Sequence, residues 1–284
     1  MPVKVEWLEA HPLPIGTVAE TVVDWLTGNL AFLFDAIQAG LSAFIDAILF
    51  LLQAPHPFVV VAAFGAIAFL ARRTIAAALL TAGGLLVIIN LGFWEETTET
   101  LALVLAATAL CMAIGLPVGI AAARRPRLYA GLRPVLDLMQ TIPTFVYLIP
   151  ALILFGLGMV PGLVATVIFA LPASIRLTRL GIASTPTQLL EAGDAFGATA
   201  MQRLFAIEIP HALPQIMAGL TQTIMLSLSM VVIAALVGAP GLGVPVVRAL
   251  NTIDIGTGFE AGLAIVLLAI ILDRFVRIED GARS

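Results

Sequence analysis

Lysine is almost absent: among 284 residues it occurs once, as Lys4. A G-x-x-x-x-G-K-[ST] phosphate loop needs that side chain against the β- and γ-phosphates, so the chain is no P-loop ATPase, and energy from ATP has to come from another subunit. Cysteine is as scarce. Cys111 stands alone, which excludes an internal disulfide, and within its apolar run it is expected to pack as a small hydrophobe. His11, His56 and His211 are far apart, with no H-E-x-x-H pattern, so no metal site is spaced in the sequence. No G-x-S-x-G elbow occurs. Charged residues make up 11% of the chain, against ~25% in a soluble domain. The net charge of -4 leaves no polybasic footprint for nucleic acid. The opening Met-Pro-Val-Lys-Val-Glu-Trp lacks a basic stretch followed by a continuous apolar one, so no cleaved signal peptide is expected.

What is present is apolar. Hydrophobic residues account for 61% and the mean hydropathy is +1.09, the composition of an all-α membrane protein. At ~20 residues per crossing, the length allows at most about nine spans. Apolar runs between charged or Pro/Gly-rich breaks predict about seven, near 57–71, 75–94, 99–123, 136–157, 160–177, 215–237 and 259–276. Arg72, Arg73, Arg124, Arg125, Arg127, Arg133, Arg176, Arg179, Arg203, Arg274, Arg277 and Arg283 all fall on one side of this scheme, while only Lys4 and Arg248 fall opposite. The basic side is expected to be cytoplasmic, which puts the N-terminus outside and the C-terminus inside.

Ahead of the first span, region 1–54 shows helical periodicity. Val23, Leu26, Leu30, Leu33, Ile37, Leu41, Phe44, Ile48 and Leu52 mark one face, and Asp24, Gly28, Asp35, Gln38, Ser42 and Asp46 the other. A break is expected at Gly28-Asn29. Such a helix either lies along the outer interface, its acidic face unsuited to the anionic cytoplasmic leaflet, or packs at the edge of the bundle. Residues 55–94 then supply two accessory spans, and 95–284 the core.

The connection 176–214 is too polar to span and carries strong helix punctuation. Thr185, Pro186 and Gln188 have the spacing of a capping box. Gly197 is placed to end that helix, and a second short helix from about Thr199 is expected to stop near Pro210. Within it the sequence reads Glu191-Ala192-Gly193, three residues, Gly197, nine residues, then Ile207-Glu208-Ile209-Pro210. This resembles the E-A-A-x3-G-x9-I-x-L-P loop of type I ABC-importer permeases, with Gly193 for the second alanine and Ile209 for the leucine. The resemblance implies that Glu191, Ala192, Gly193, Gly197, Ile207 and Pro210, in a loop of about 180–212, couple the chain to a cytoplasmic ABC ATPase subunit. Gln140 to Pro150, Phe169 to Pro172, Met217 to Val232 and Ile270 to Arg274 look like the permease of glycine betaine/proline betaine importers. A departure lies at Gly238 to Gly243, where Pro240 is inserted into an external loop.

That family resemblance implies a homodimer with two ATPases, which bind ATP and Mg, and an extracytoplasmic solute-binding protein, in the bacterial inner membrane. No cofactor is expected in this chain. The implied solutes are glycine betaine, proline betaine, choline, carnitine or trimethylamine N-oxide. Polar residues in the spans, Gln140, Thr141, Thr144 and Tyr147 in the fourth and Gln222, Thr223, Ser227 and Ser229 in the sixth, either line a solute path or bond to neighbouring helices. Pro143 and Pro150 mark either gating or a structural kink. The rival reading is an ion-coupled carrier, which usually keeps ionisable groups inside its spans. Here only Asp137 and Asp273 come close, both near the inner interface, and Asp273 has a helical partner in Arg277.

Overall fold

The computed structural model of the protein describes residues 14–276, and those residues form helices joined by short turns. A long first helix, α1 (Ile15–Gln53), precedes a hairpin of α2 (Pro57–Arg72) and α3 (Ile75–Asn90). Then come α4 (Trp94–Arg124), α5 (Pro126–Thr141), α6 (Thr144–Phe155) and α7 (Met159–Ala183). Short helices α8 (Thr187–Ala195) and α9 (Ala200–Arg203) lead through a π turn (Leu204–Glu208) into α10 (Ile209–Ala235). The described chain ends with α11 (Gly243–Thr252) and α12 (Ile255–Val276).

Each of the seven expected spans falls on helix, but their lengths differ. Among the described residues, α1, α4, α7, the run Ala200–Ala235 and α12 are the five long and apolar enough to cross a bilayer as single helices. The accessory helices α2 and α3 have 16 residues each, about 24 Å at 1.5 Å per residue, short of a hydrocarbon core of ~30 Å. The fourth expected span is broken at Pro143, where a kink or gate was expected. Rather than one helix from 136, α5 and α6 meet at a bend of 94°, because Pro143 forces the residue before it out of the helical region. Ile142 is extended, with ψ 130°. Pro150, by contrast, lies inside α6 without ending it. α5 is instead tied to the end of α7: Arg176 donates to Asp137 at 2.6 Å, and the Arg179 guanidinium stacks 3.7 Å over the Tyr129 ring.

The heart of the bundle is α4, α7 and α10. Lipid tails are as apolar as leucine, so helices here associate through close packing, which small residues permit. A Cβ on Gly119 would lie 2.9 Å from the Ile175 carbonyl oxygen, and one on Gly181 would lie 3.0 Å from that of Ala212. Cys111 is buried as expected, and Ser174 Oγ donates to its carbonyl at 3.0 Å.

α1 is continuous but kinked at Leu30, just past the expected break. Its second half packs on the bundle's edge: Ile45 and Leu52 are buried, the Phe34 ring meets Phe155 edge-on at 5.7 Å, and Gln53 Nε2 donates to Thr98 Oγ1 at 2.8 Å. The face is therefore shifted slightly from the expected one, with Phe34 and Ile45 turned in and Leu33 and Phe44 exposed. The expected Asp273–Arg277 pair lies outside the described residues.

The two ends of the bundle differ in charge. At one, Leu242 N donates to Thr100 Oγ1 at 2.8 Å and Gly158 N to the Val237 carbonyl at 3.0 Å. At the other, Arg72 Nε donates to the Arg274 carbonyl at 2.9 Å, Arg176 meets Asp137, and Arg124 meets Glu208. The arginine asymmetry of the sequence is thus a division between two ends of one bundle.

Candidate functional site

The loop around Glu191 sits at the arginine-rich end. α8 does not start from the expected cap: Pro186 precedes it with ψ 135°, and the Thr185 hydroxyl is buried without a partner. The extended proline displaces the start to Thr187. A capping box does form one helix later, where Gln202 N donates to Thr199 Oγ1 at 3.3 Å and Thr199 N to Gln202 Oε1 at 2.8 Å.

The end of α8 agrees with expectation. Gly197 adopts φ +74°, and Gly197 N and Ala198 N donate to the carbonyls of Asp194 and Gly193, both at 3.0 Å. This crossed pair is the Schellman arrangement, which a Cβ at Gly197 would strain. Gly193 is buried where a Cβ would approach Ile207 Cδ1 to 2.7 Å, so the helix sits directly on Ile207.

Beyond Arg203 the chain does not stop at Pro210. A π turn intervenes, with Ile209 N donating to the Leu204 carbonyl, and the helix continues to Ala235. Pro210 falls in the first turn of α10, where a missing N–H is no loss. The π turn also points Glu208 inward. Its carboxylate is buried, accepts from Arg124 Nη2 at 2.8 Å, and lies 3.4 Å from Arg203 Nε. Arg203 Nη1 in turn donates to both Asp194 oxygens at 2.8 and 2.9 Å. One ionic chain therefore runs from α8 to the end of the spanning helix α4.

The outward side of the loop is apolar as well as acidic. Glu191 and Ala192 are exposed, and Phe196 is 93% exposed, with Leu189, Met201 and Phe205 also uncovered. Glu191 makes no ion pair among the described residues. Large exposed apolar groups on a polar loop mark a protein contact. Neither Phe196 nor the Arg124–Glu208 pair was singled out by sequence reasoning. An aromatic residue immediately before the terminating glycine was the available signal for the first; the second joins positions 84 apart in the chain and has none.

The expected path residues divide. Thr223 and Ser227 are fully buried, with their hydroxyls donating to the Gly219 and Thr223 carbonyls at 2.8 Å. Both hydroxyls are therefore turned to the backbone of their own helix. Gln222 and Ser229 lie exposed on one stripe of α10, seven residues apart, and Thr141 is exposed at the end of α5. Gln140 and Thr144 are half-buried across the 94° bend, and the Tyr147 hydroxyl is buried without a partner.

Comparison with known proteins agrees with this geometry. The family described as binding-protein-dependent transport system inner membrane component matches residues 115–282. The glycine betaine transport system permease protein OpuAB of Bacillus subtilis is 46% identical over 93% of this chain and 94% of its own. The glycine betaine/carnitine transport permease protein GbuB of Listeria monocytogenes is 45% identical over 93% and 95%. Among solved structures, an inward-facing MetNI methionine ABC transporter superposes with a TM-score of 0.56 and 27% identity, over 63% of this chain and 92% of the matched one. With an ionic chain joining an exposed loop to its spans through the buried Glu208 and a family match across its core, this multi-pass inner-membrane chain belongs to the binding-protein-dependent transport system inner membrane components, as the permease subunit of a type I ABC importer.

Proposed function

We propose that this permease carries quaternary ammonium or methylamine compatible solutes, of which glycine betaine, proline betaine, choline, carnitine and trimethylamine N-oxide are the candidates. The observation that carries this is 46% identity, across nearly the whole length of both chains, to a glycine betaine permease. Two chains form the path, each working with an ATPase that binds ATP and Mg, and an external binding protein delivers the solute. The arginine-rich end faces the cytoplasm. Residues 1–54 are assigned to the outside, so that α1, although long and apolar enough to cross, lies at the bundle's outer edge through Ile45 and Leu52; 55–94 are accessory, and 95–284 form the core.

In this reading Glu191, Ala192, Gly193 and Gly197 form the knob that the ATPase moves, with Ile207 and Pro210 fixing its seat. The path runs beside Gln140, Thr141, Thr144, Tyr147 and Gln222. An exposed glutamine on a spanning helix is costly against lipid, so the α10 stripe supports a face covered by the second copy or by water. Uptake of labelled solutes in cells lacking other osmolyte importers, with and without this permease and its partners, tests the proposal. Import of an amino acid, sugar or metal with no methylammonium uptake would overturn the solute class.

A further inference from the structure

Helix α11 is wedged between α10 and α12 by one face only. Gly243, Pro245 and Ala249 are buried, and a Cβ on Gly243 would collide with the Val231 carbonyl of α10. Locked on that side, the helix presents its other face at a fixed angle. Val244, Val247, Arg248, Asn251 and Thr252, spaced three and four apart, line a concavity of about 270 Å³ together with Ala235 at the end of α10.

Arg248 is the exceptional residue. It is the one described arginine at the end opposite the others, and its exposed guanidinium makes no hydrogen bond or ion pair among the described residues. The nearest acid in sequence, Asp254, is engaged: Thr257 Oγ1 and Thr257 N donate to its carboxylate at 2.8 and 3.2 Å. An arginine near a helix C-terminus ordinarily serves the last carbonyls, and Arg248 does not bond to them. Its fork matches a carboxylate. Asn251 flanks it with an amide donor, while the Thr252 hydroxyl is already engaged, donating to the Arg248 carbonyl at 3.0 Å; Val244, Val247 and Ala235 give an apolar wall and no aromatic ring.

We propose that this concavity is a subsite at the outer mouth of the permease for a zwitterionic solute, with Arg248 taking the carboxylate and the valine wall lying against the methylated ammonium. It rests on the betaine reading and outward orientation proposed above. A carboxylate partner gives direction to the solute, and the lack of an aromatic cage keeps the hold weak, as a transit site requires. A volume just below the ~300 Å³ at which ordinary ligand pockets begin suits a small methylated amino acid.

The full complex, with ATPase and binding protein, should be reconstituted with the parental chain, Arg248→Ala and Arg248→Lys. At saturating loaded binding protein, Arg248→Ala should lower glycine betaine import about tenfold, the loss of one charged contact, and Arg248→Lys should recover part of it. ATP hydrolysis stimulated by the loaded binding protein should persist. In the permease–ATPase complex without binding protein, saturation-transfer NMR should detect glycine betaine on the parental chain and not on Arg248→Ala, and should detect no choline, which lacks the carboxylate, on either. Equal glycine betaine signals for parental and Arg248→Ala, or a choline signal equal to that of glycine betaine, would overturn the subsite. So would an import defect rescued by excess binding protein, which would place Arg248 in the docking contact, or one accompanied by dissociation into single permeases, which would place it between copies. If the parental complex imports no betaine, the solute reading fails; if it does and Arg248→Ala matches it, only the subsite fails.

Discussion

Arg124, the last residue of the spanning helix α4, holds the buried carboxylate of Glu208 at 2.8 Å, so the loop around Glu191 is fastened to the membrane bundle through an ion pair. The pair is lopsided: the Glu208 side chain is 6% exposed and that of Arg124 35%. Removing Arg124 leaves the more buried charge with Arg203 Nε alone, at 3.4 Å, at a cost below the ~3–5 kcal/mol of a buried charge left wholly unpaired. Arg124→Ala is therefore expected to lower the thermal stability of the purified complex more than Glu208→Gln does. Both should weaken the yield of solute per ATP. Parallel melting curves and transport-to-hydrolysis ratios check this, and equal melting with an unchanged ratio would reduce the pair to ornament.

The knob itself gives a second prediction. Gly197 sits at φ +74°, a region where a β-branched side chain is strained by about 1–2 kcal/mol. Gly197→Val should undo the crossed hydrogen bonds that end α8, and Glu191→Lys should reverse the charge presented outward. Phe196→Asp should remove the most exposed apolar group of the loop. Each should leave solute capture by the binding protein intact while uncoupling ATP hydrolysis from import. Parental rates of hydrolysis and import in all three variants would show that the loop is not the contact.

How far the sequence foretold this loop depends on the range of the forces involved. The glycine terminator was legible because its cause is local: one backbone angle that glycine tolerates. The resemblance to the permease loop likewise rested on twenty contiguous residues. The start of α8 was misread at Thr185 because capping spacing cannot register that Pro186 takes an extended ψ and shifts the helix by one. Pro210 looked like a stop because the sequence does not reveal a π turn, which lets the proline occupy the first turn of a new helix. The break in span four was legible at Pro143, since a proline restrains the residue before it, but the size of the bend was not, and Pro150 ends nothing. The Glu208–Arg124 pair and the burial of Thr223 and Ser227 are tertiary facts with no local trace.

The orientation gives a third prediction. Cysteines placed at Glu96 and Asn251 should react with an impermeant thiol reagent in intact cells, and those at Arg127 and Gln202 should react only after the membrane is opened. The background should be Cys111→Ala, since Cys111 is fully buried and alanine adds no hydroxyl to satisfy. Labelling at 127 or 202 with protection at 96 would invert the topology.

The last prediction tests what holds the bundle together. If close backbone approach is the cohesive term in lipid, the cost of adding a single methyl group should follow what that group would strike. At Gly119 the new Cβ would lie 2.9 Å from the Ile175 carbonyl oxygen and 2.7 Å from Thr178 Cβ, atoms fixed in the backbone or close to it, so α4 and α7 must move apart. Overpacking of this kind costs about 1–3 kcal/mol. At Gly219 the nearest atom, Leu177 Cβ, would lie 3.2 Å away, and a few tenths of an ångström of yielding relieves it. At Gly83 nothing lies within 4 Å. Gly119→Ala should therefore lower the melting temperature of the detergent-solubilised complex most, Gly219→Ala by less, and Gly83→Ala little or not at all. Light scattering or loss of the size-exclusion peak is the better readout, because a thiol dye would also respond to local loosening around Cys111, which lies buried in the same interface. A ranking in which Gly83→Ala is the most damaging would mean that α3 carries a contact with another subunit and that the cohesion of the permease does not reside chiefly between α4 and α7.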